Sequence, residues 1–228
     1  MASGEGELVE IVQEGNGVAG RIRCPAGLVP APGQYGMALA PQDLAAPLAT
    51  IVFAAASAPN GFITAPGLPS NWLPGTRLVL RGPFGNGFHL PVTARRVALA
   101  GLDESPSRLL PLANGALRQG AAVALYCAAP QPAWPVDVEM LPLAALPESL
   151  AWADFLGVDI PLAALGALRH SLGLADHQHI SCPGQVLISS PLPCAGIGEC
   201  GVCAVRTRRG WKLACKDGPV FDLLDLEW

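Results

Sequence analysis

Thirteen residues near the C-terminus, Pro193 to Val205, carry Cys194, Cys200 and Cys203 among glycines 196, 198 and 201, and Cys215 follows twelve positions after Cys203. No regular helix or strand accommodates that density of thiols and glycine, so the segment has to be a loop that wraps something. Four soft thiolate donors, three on one short loop and one remote, are what two sulfide-bridged iron ions require, with backbone amides of the loop turned toward the sulfurs. The glycines permit the positive φ angles and close backbone approach that such a wrap needs. The pattern predicts a plant-type 2Fe-2S cluster held by Cys194, Cys200, Cys203 and Cys215. One spacing departs from that pattern: five residues separate the first two cysteines instead of four, which makes Ala195 an extra residue to be absorbed by its glycine neighbours.

Zinc is the competing reading, because Cys200-x2-Cys203 is also half of a structural zinc site. A zinc ribbon offers two separate Cys-x2-Cys knuckles, whereas these cysteines divide three and one. Disulfides or unrelated core cysteines complete the alternatives.

The 228 residues are 51% hydrophobic and 14% charged, an ordered globular composition with length for one large or two smaller cores and an appendage. A net charge of -4, with no basic run interleaved with aromatics, argues against a nucleic-acid partner. Arg206, Arg208, Arg209 and Lys212 form the one cationic cluster and read as a solvated hairpin beside the cysteine loop in preference to a docking patch. Met1-Ala2-Ser3-Gly4-Glu5 lacks the basic start and apolar core of a signal peptide. The 33 uncharged residues between Asp43 and Arg77 are broken by five prolines, at 47, 59, 66, 69 and 74, a pattern that opposes a membrane span. These features predict a protein of the reducing cytoplasm, with Cys24, Cys127 and Cys182 as inert buried thiols.

Along the chain, residues 1–92 are dense in glycine and proline and carry short β-type runs at Leu8 to Gln13, Gly17 to Cys24, Ala49 to Ala55, Gly61 to Thr64 and Arg77 to Arg81, which predicts a small antiparallel β-barrel. From Val97 the pattern changes to strand (Val97 to Ala100), helix (Ser107 to Arg118) and strand (Ala121 to Cys127), an α/β layer. Helices are expected over Pro147 to Leu156 and Pro161 to Leu172, each with proline near its start. The expected fold is mixed β and α/β: a barrel over 1–92, a shortened α/β nucleotide-binding-like domain over 93–184 and a 2Fe-2S loop domain over 185–228.

Three stretches carry a family resemblance. They are Pro32-Gly33-Gln34-Tyr35, the run Gly82-Pro83-Phe84-Gly85-Asn86-Gly87-Phe88, and the cysteine loop with its exit Cys215-Lys216-Asp217-Gly218-Pro219-Val220-Phe221. Together they make the chain resemble, over its whole length, the electron-transfer subunit of class 1B dihydroorotate dehydrogenase, one of the ferredoxin-reductase-like flavoproteins. The resemblance implies FAD in the barrel at Pro32, Gly33, Gln34, Tyr35, Gly85, Asn86, Gly87 and Phe88, NADH at the α/β domain, and a flavin-containing catalytic partner subunit in a hetero-oligomer that serves pyrimidine biosynthesis.

Both nucleotide sites depart from the family. The barrel motif Arg-Pro-x-Ser that grips the flavin diphosphate is Ala46-Pro47-Leu48-Ala49 here, which removes a cation and a hydroxyl worth roughly 1.5 to 3 kcal/mol per charged bond. The glycine-rich turn after the first α/β strand is Gly101-Leu102-Asp103-Glu104-Ser105-Pro106, which sets two carboxylates where an anionic cofactor would bind. The Cys-Gly-Pro segment of the family is replaced by Cys182-Pro183-Gly184, running almost directly into the next strand. NAD is therefore not expected, and FAD is expected below stoichiometry unless Arg77 or Arg81 substitutes for the lost cation.

No catalytic residue is predicted. Asp103, Glu104, Ser105 and Ser107 read as a helix start with Ser105 as cap and Pro106 in the first turn. His177-Gln178-His179 with Cys182 reads as a surface loop before a second metal site. The tail Asp222-Leu223-Leu224-Asp225-Leu226-Glu227-Trp228 either covers the core or meets a partner. The function expected is a 2Fe-2S relay of single electrons to or from a flavin-containing dehydrogenase. A complete FAD/2Fe-2S NADH-linked flavoprotein and a zinc-binding structural adaptor are the alternatives.

Overall fold

The computed structural model describes residues 2–14, 17–43, 48–103, 105–129, 134–175, 178 and 180–227. Along β6 (Arg77–Phe84) burial alternates, with Leu78 and Leu80 inward and Arg77, Val79 and Arg81 outward, the signature of a strand with one face on a core. It closes a barrel with β1 (Ala2–Glu14), β2 (Gly17–Arg23), β3 (Tyr35–Leu39), β4 (Thr50–Ala58) and β5 (Gly61–Thr64) in the order β1-β2-β5-β4-β3-β6. Every pairing is antiparallel, and closure leaves no open edge. Leu8, Ile22, Val52, Phe62, Leu78 and Leu80 fill the interior. At Gly61 a Cβ would lie 1.9 Å from the Ile22 carbonyl oxygen, so only glycine lets β5 approach β2 there.

The second layer is a six-stranded sheet built from β7 (Arg96–Gly101), β8 (Ala122–Cys127), β9 (Val138–Pro142), β10 (Phe155–Pro161), β11 (Gly184–Ser189) and β14 (Val220–Asp222), in the order β14-β11-β10-β7-β8-β9. The five strands from β7 to β11 run parallel and β14 is antiparallel at the edge. Helix α1 (Leu110–Arg118) packs Leu112, Ala113 and Ala116 with Val97, Leu99 and Leu125 on one face. The other face carries Ala98, Val158, Ile160 and Val186 with α2 (Leu146–Ser149) and α3 (Leu168–Ser171). The hairpin β12 (Ala204–Thr207) and β13 (Gly210–Leu213) lies between β11 and β14 in sequence. No described helix is long and apolar enough to cross a membrane.

Barrel, α/β sheet and cysteine-rich end are as expected, and two expected helices are not. Pro147 to Leu156 yields only α2, after which Phe155 opens β10. The run Phe-Leu-Gly-Val-Asp-Ile is a strand buried on both faces, which periodicity does not distinguish from a buried helix. Pro161 to Leu172 is a 3-10 stretch over Leu162–Ala167 followed by the short α3. Ser105 does not cap α1, whose first turn has no side-chain cap and is preceded by a 3-10 turn at Ser107–Leu109. Its hydroxyl instead accepts the Ser107 N–H at 3.2 Å.

Candidate metal centre

The cysteine segment is inserted between two hydrogen-bonded strands. β11 ends at Ser189, and the chain returns through Cys215 to β14, where Leu187 faces Val220 and Val186 faces Phe221. The Ile188 N–H donates to the Pro219 carbonyl at 2.9 Å, so the segment's two ends are pinned to the sheet. Within it, Ala195, Gly196, Gly198 and Gly201 have φ of 51°, 74°, 82° and 71°. The left-handed turns fall where the glycines predicted them, and the extra residue, Ala195, adopts one too, at a cost of roughly 1 kcal/mol for a side chain in that region.

The four thiols form two pairs. Cys194 Sγ accepts from the Cys200 thiol and from the backbone N–H groups of Cys200, Glu199 and Gly198, and those bonds hold it down to about 6. Cys215 donates to Cys203; burial first, and then its neighbour, push Cys215 up to about 12. Cys203 and Cys215 are buried in the same core as the sheet face, and Cys200 is exposed. Among the described residues no group of three or more His, Cys, Asp or Glu side chains surrounds a single ion position. A two-iron cluster takes two thiolate donors on each iron, an arrangement that two thiol pairs, with three amides turned to the Cys194 sulfur, match.

The eight residues read as flavin ligands are engaged within the chain. Tyr35 is 1% exposed, and its hydroxyl donates to the Cys215 carbonyl at 2.9 Å. Gln34 Nε2 donates to the Gly85 carbonyl at 3.0 Å, and the Phe88 N–H to that of Pro32 at 2.8 Å. Asn86 donates its Nδ2 to the Asp217 carbonyl at 2.8 Å and its N–H to Gly218 at 2.6 Å. A Cβ on Gly33 would meet Val220 at 2.6 Å and one on Gly85 the Gly218 oxygen at 2.4 Å. Both turns thus grip the strand that follows Cys215. A cavity of about 10 Å³ lies at this junction, lined by Tyr35, Phe53, Ile188, Leu192, Ala214 and Pro219 among others, room for about one water. Ala46 and Pro47 lie outside the described residues; Arg77 lies by the Glu5, Arg23 and Pro41 end of the barrel, in a separate groove.

At the carboxyl ends of β7 and β10, where a doubly wound sheet offers its ligand crevice, the chain places its own ions. Arg108 Nε donates to both oxygens of Asp159, at 2.9 and 3.1 Å, and Nη2 to Asp103 at 2.5 Å. Its guanidinium lies 5.7 Å over the Phe53 ring of the barrel. Burial pushes the Asp159 carboxyl up while Arg108 pulls it back; burial opposes the Arg108 charge, and Asp159 and Asp103 together hold it protonated. Beside them the Glu14 carboxylate, from β1, accepts from the hydroxyls of Ser105, at 2.6 Å, and Ser107, at the helix start where a phosphate would dock. Asp103 is thus an ion-pair partner and not a bare charge. Glu104 lies outside the described residues, as do His177 and His179, while Cys182 is a buried thiol.

Cys24 and Cys127 are also buried, and burial raises the pKa of all three non-cluster thiols. The cationic group is indeed a hairpin. Arg206 pairs with Glu227 at 2.7 Å and Lys212 with Asp217 at 3.8 Å, which leaves Arg208 and Arg209 exposed about the turn. The tail covers the core through Leu223 and Leu226; Trp228 lies outside the described residues. Sequence reasoning missed Arg108, Asp159 and Glu14. The one available signal was Asp159, a carboxylate inside an otherwise apolar strand.

Residues 194–227 match the family described as the iron-sulfur cluster binding domain of dihydroorotate dehydrogenase B. Sulfhydrogenase 1 subunit gamma of Pyrococcus furiosus is 58% identical over 31 residues, a match that spans 14% of this chain and 11% of that relative. Among solved structures, an NADH-dependent reduced ferredoxin-NADP oxidoreductase described for flavin-based electron bifurcation is similar with a TM-score of 0.74 at 16% identity, over 97% of this chain and 89% of the other. The ferredoxin reductase of carbazole 1,9a-dioxygenase follows at 0.60 and 19%, over 77% and 67%. The flavohem-like FAD/NAD binding domain of nitric oxide dioxygenase from Vibrio cholerae gives 0.53 and 16%, over 82% and 98%. At these identities the likeness shows the fold, which is ferredoxin-reductase-like, and the family match is confined to residues 194–227.

Proposed function

We propose that the chain is a 2Fe-2S electron-transfer subunit that relays single electrons to or from a flavin-containing dehydrogenase partner. The observation that carries this reading is the arrangement of Cys194 with Cys200 and of Cys203 with Cys215 as two thiol pairs, inside a segment that matches an iron-sulfur binding domain. When bound, the cluster would supply a one-electron carrier. The chain's own residues hold it: Cys194 and Cys200 would take one iron and Cys203 and Cys215 the other, while the N–H groups of Gly198, Glu199 and Cys200 steady the Cys194 sulfur. Cys200 is exposed and Cys203 buried, so one pair faces outward and the other faces the barrel and sheet.

The partner would be a dihydroorotate dehydrogenase-like subunit, and the named relative, itself a subunit, supports work within a hetero-oligomer. Seven unpaired cysteines support a reducing compartment such as the cytoplasm. The filled crevice at Arg108 and Glu14, and the use of the Pro32 to Tyr35 and Gly85 to Phe88 turns as a brace for the cysteine segment, support a chain that works without NADH and without stoichiometric FAD. Acid release of flavin from anaerobically purified protein, with an NADH oxidation assay alongside, tests this. The expected result is less than stoichiometric flavin and no NADH consumption; one FAD per chain with NADH oxidation would establish the complete flavoprotein instead.

A further inference from the structure

A single barrel side chain bonds one half of the cysteine set and lies close to the other. Tyr35 and Met37, two positions apart on β3, face the cysteine segment. The Tyr35 hydroxyl donates to the Cys215 carbonyl at 2.9 Å, across 180 residues of sequence. On the other side, a Cβ built on Gly196, in the loop between Cys194 and Cys200, would lie 3.1 Å from that same hydroxyl and 3.7 Å from Met37 Sδ. The ring is fixed in turn: it stacks on Phe84 with centroids 5.4 Å apart and 26° between planes, and tilts against Phe53 at 6.1 Å. Tyr35 has almost no freedom and sits where the two arms of the ligand set meet.

We infer that Tyr35 is a positioning residue for the cluster, holding the Cys215 ligand strand against the Cys194 loop and setting the reduction potential through its hydrogen bond to the Cys215 carbonyl. The inference rests on the 2Fe-2S reading above. A bond donated to the backbone of a ligand orients that ligand and draws electron density from it, and hydrogen bonding around the sulfurs is one of the terms that sets a cluster's potential. The O–H dipole points its positive end toward the cysteine segment. One-electron reduction adds one negative charge there, and the dipole favours that form. The proximity is felt in the opposite direction as well: burial first, and then the thiols of Cys215, Cys203 and Cys194, hold the phenol well above its ordinary value.

Tyr35→Phe keeps the ring between Phe53 and Phe84 and removes the hydroxyl alone. Full-length wild type and variant, purified anaerobically, are compared by dye-mediated redox titration followed by electron paramagnetic resonance, and by the rate at which a chelator bleaches the visible spectrum. The expected variant keeps its cluster, has a more negative midpoint potential and a shifted g tensor, and bleaches several-fold faster. A variant with the wild-type potential, g tensor and bleaching rate overturns the role of Tyr35, because a residue that only packs would be served equally by Phe. A wild type that carries no cluster overturns the underlying reading instead, and the two failures are distinguished by the wild-type spectrum alone.

Discussion

Arg108 grips the fully buried Asp159 through Nε, at 2.9 and 3.1 Å to its two oxygens, and ties it to Asp103 across the crevice between β7 and β10. Breaking a buried pair by deleting one partner strands the other charge and costs about 3–5 kcal/mol. Arg108→Leu should therefore lower the urea midpoint strongly, and Arg108→Leu with Asp159→Leu should recover much of the loss, since no buried carboxylate is then left at β10. Equal destabilisation by the single and double variants would show that Asp159 does not depend on Arg108.

A pH-dependent contribution is expected at Asp154. Its carboxylate accepts from Arg96 Nη2 at 2.7 Å and from the N–H groups of Arg95 and Arg96, each at 3.0 Å. The Arg96 side chain first, then the Arg95 amide, hold it below its ordinary value of 3.8. A depressed folded-state carboxyl contributes stability that is present above the unfolded pKa and lost as pH falls through the folded one. The stability difference between wild type and Asp154→Asn should be level at neutral pH and shrink as the solution is acidified below about pH 4. Chemical denaturation across that range measures it.

Ala195 makes a different prediction. With φ at 51°, its side chain opposes the backbone the loop requires, so Ala195→Gly should relieve roughly 1 kcal/mol of strain. A raised thermal midpoint, or slower loss of visible colour on heating, would report the gain. Greater loss would mean that the methyl group packs usefully.

The cysteine loop was legible because spacing and glycine content act within twenty-odd residues, and the barrel because β-type runs and turns recur locally. Legibility ended where partners are distant in sequence. Tyr35 and Cys215 are 180 positions apart, and Arg108 and Asp159 are 51 apart; only the parallel pairing of β7 with β10 brings the second pair together. The helices expected on either side of β10 run into it only at Phe155, Leu156 and Pro161, because a strand buried on both faces has no alternation to mark its bounds. What fills the crevice was beyond local reading, since Glu14 reaches Ser105 from the barrel, 91 positions away.

Serine replacement separates ligands from bystanders. Cys194, Cys200, Cys203 or Cys215 changed to Ser should each abolish or strongly alter the visible spectrum, because a hard oxygen is a poor donor to this metal pair. Cys24, Cys127 and Cys182 should tolerate the same change with colour retained. A spectrum that survives Cys203→Ser would remove that residue from the set.

The most direct test is elemental and spectroscopic: iron, zinc and acid-labile sulfide per chain in anaerobically purified protein, with electron paramagnetic resonance after chemical reduction. About two irons and two sulfides with a spin-one-half signal on reduction are predicted for a cluster held by two thiol pairs. One zinc per chain, with no sulfide and no signal, would contradict the account at its centre.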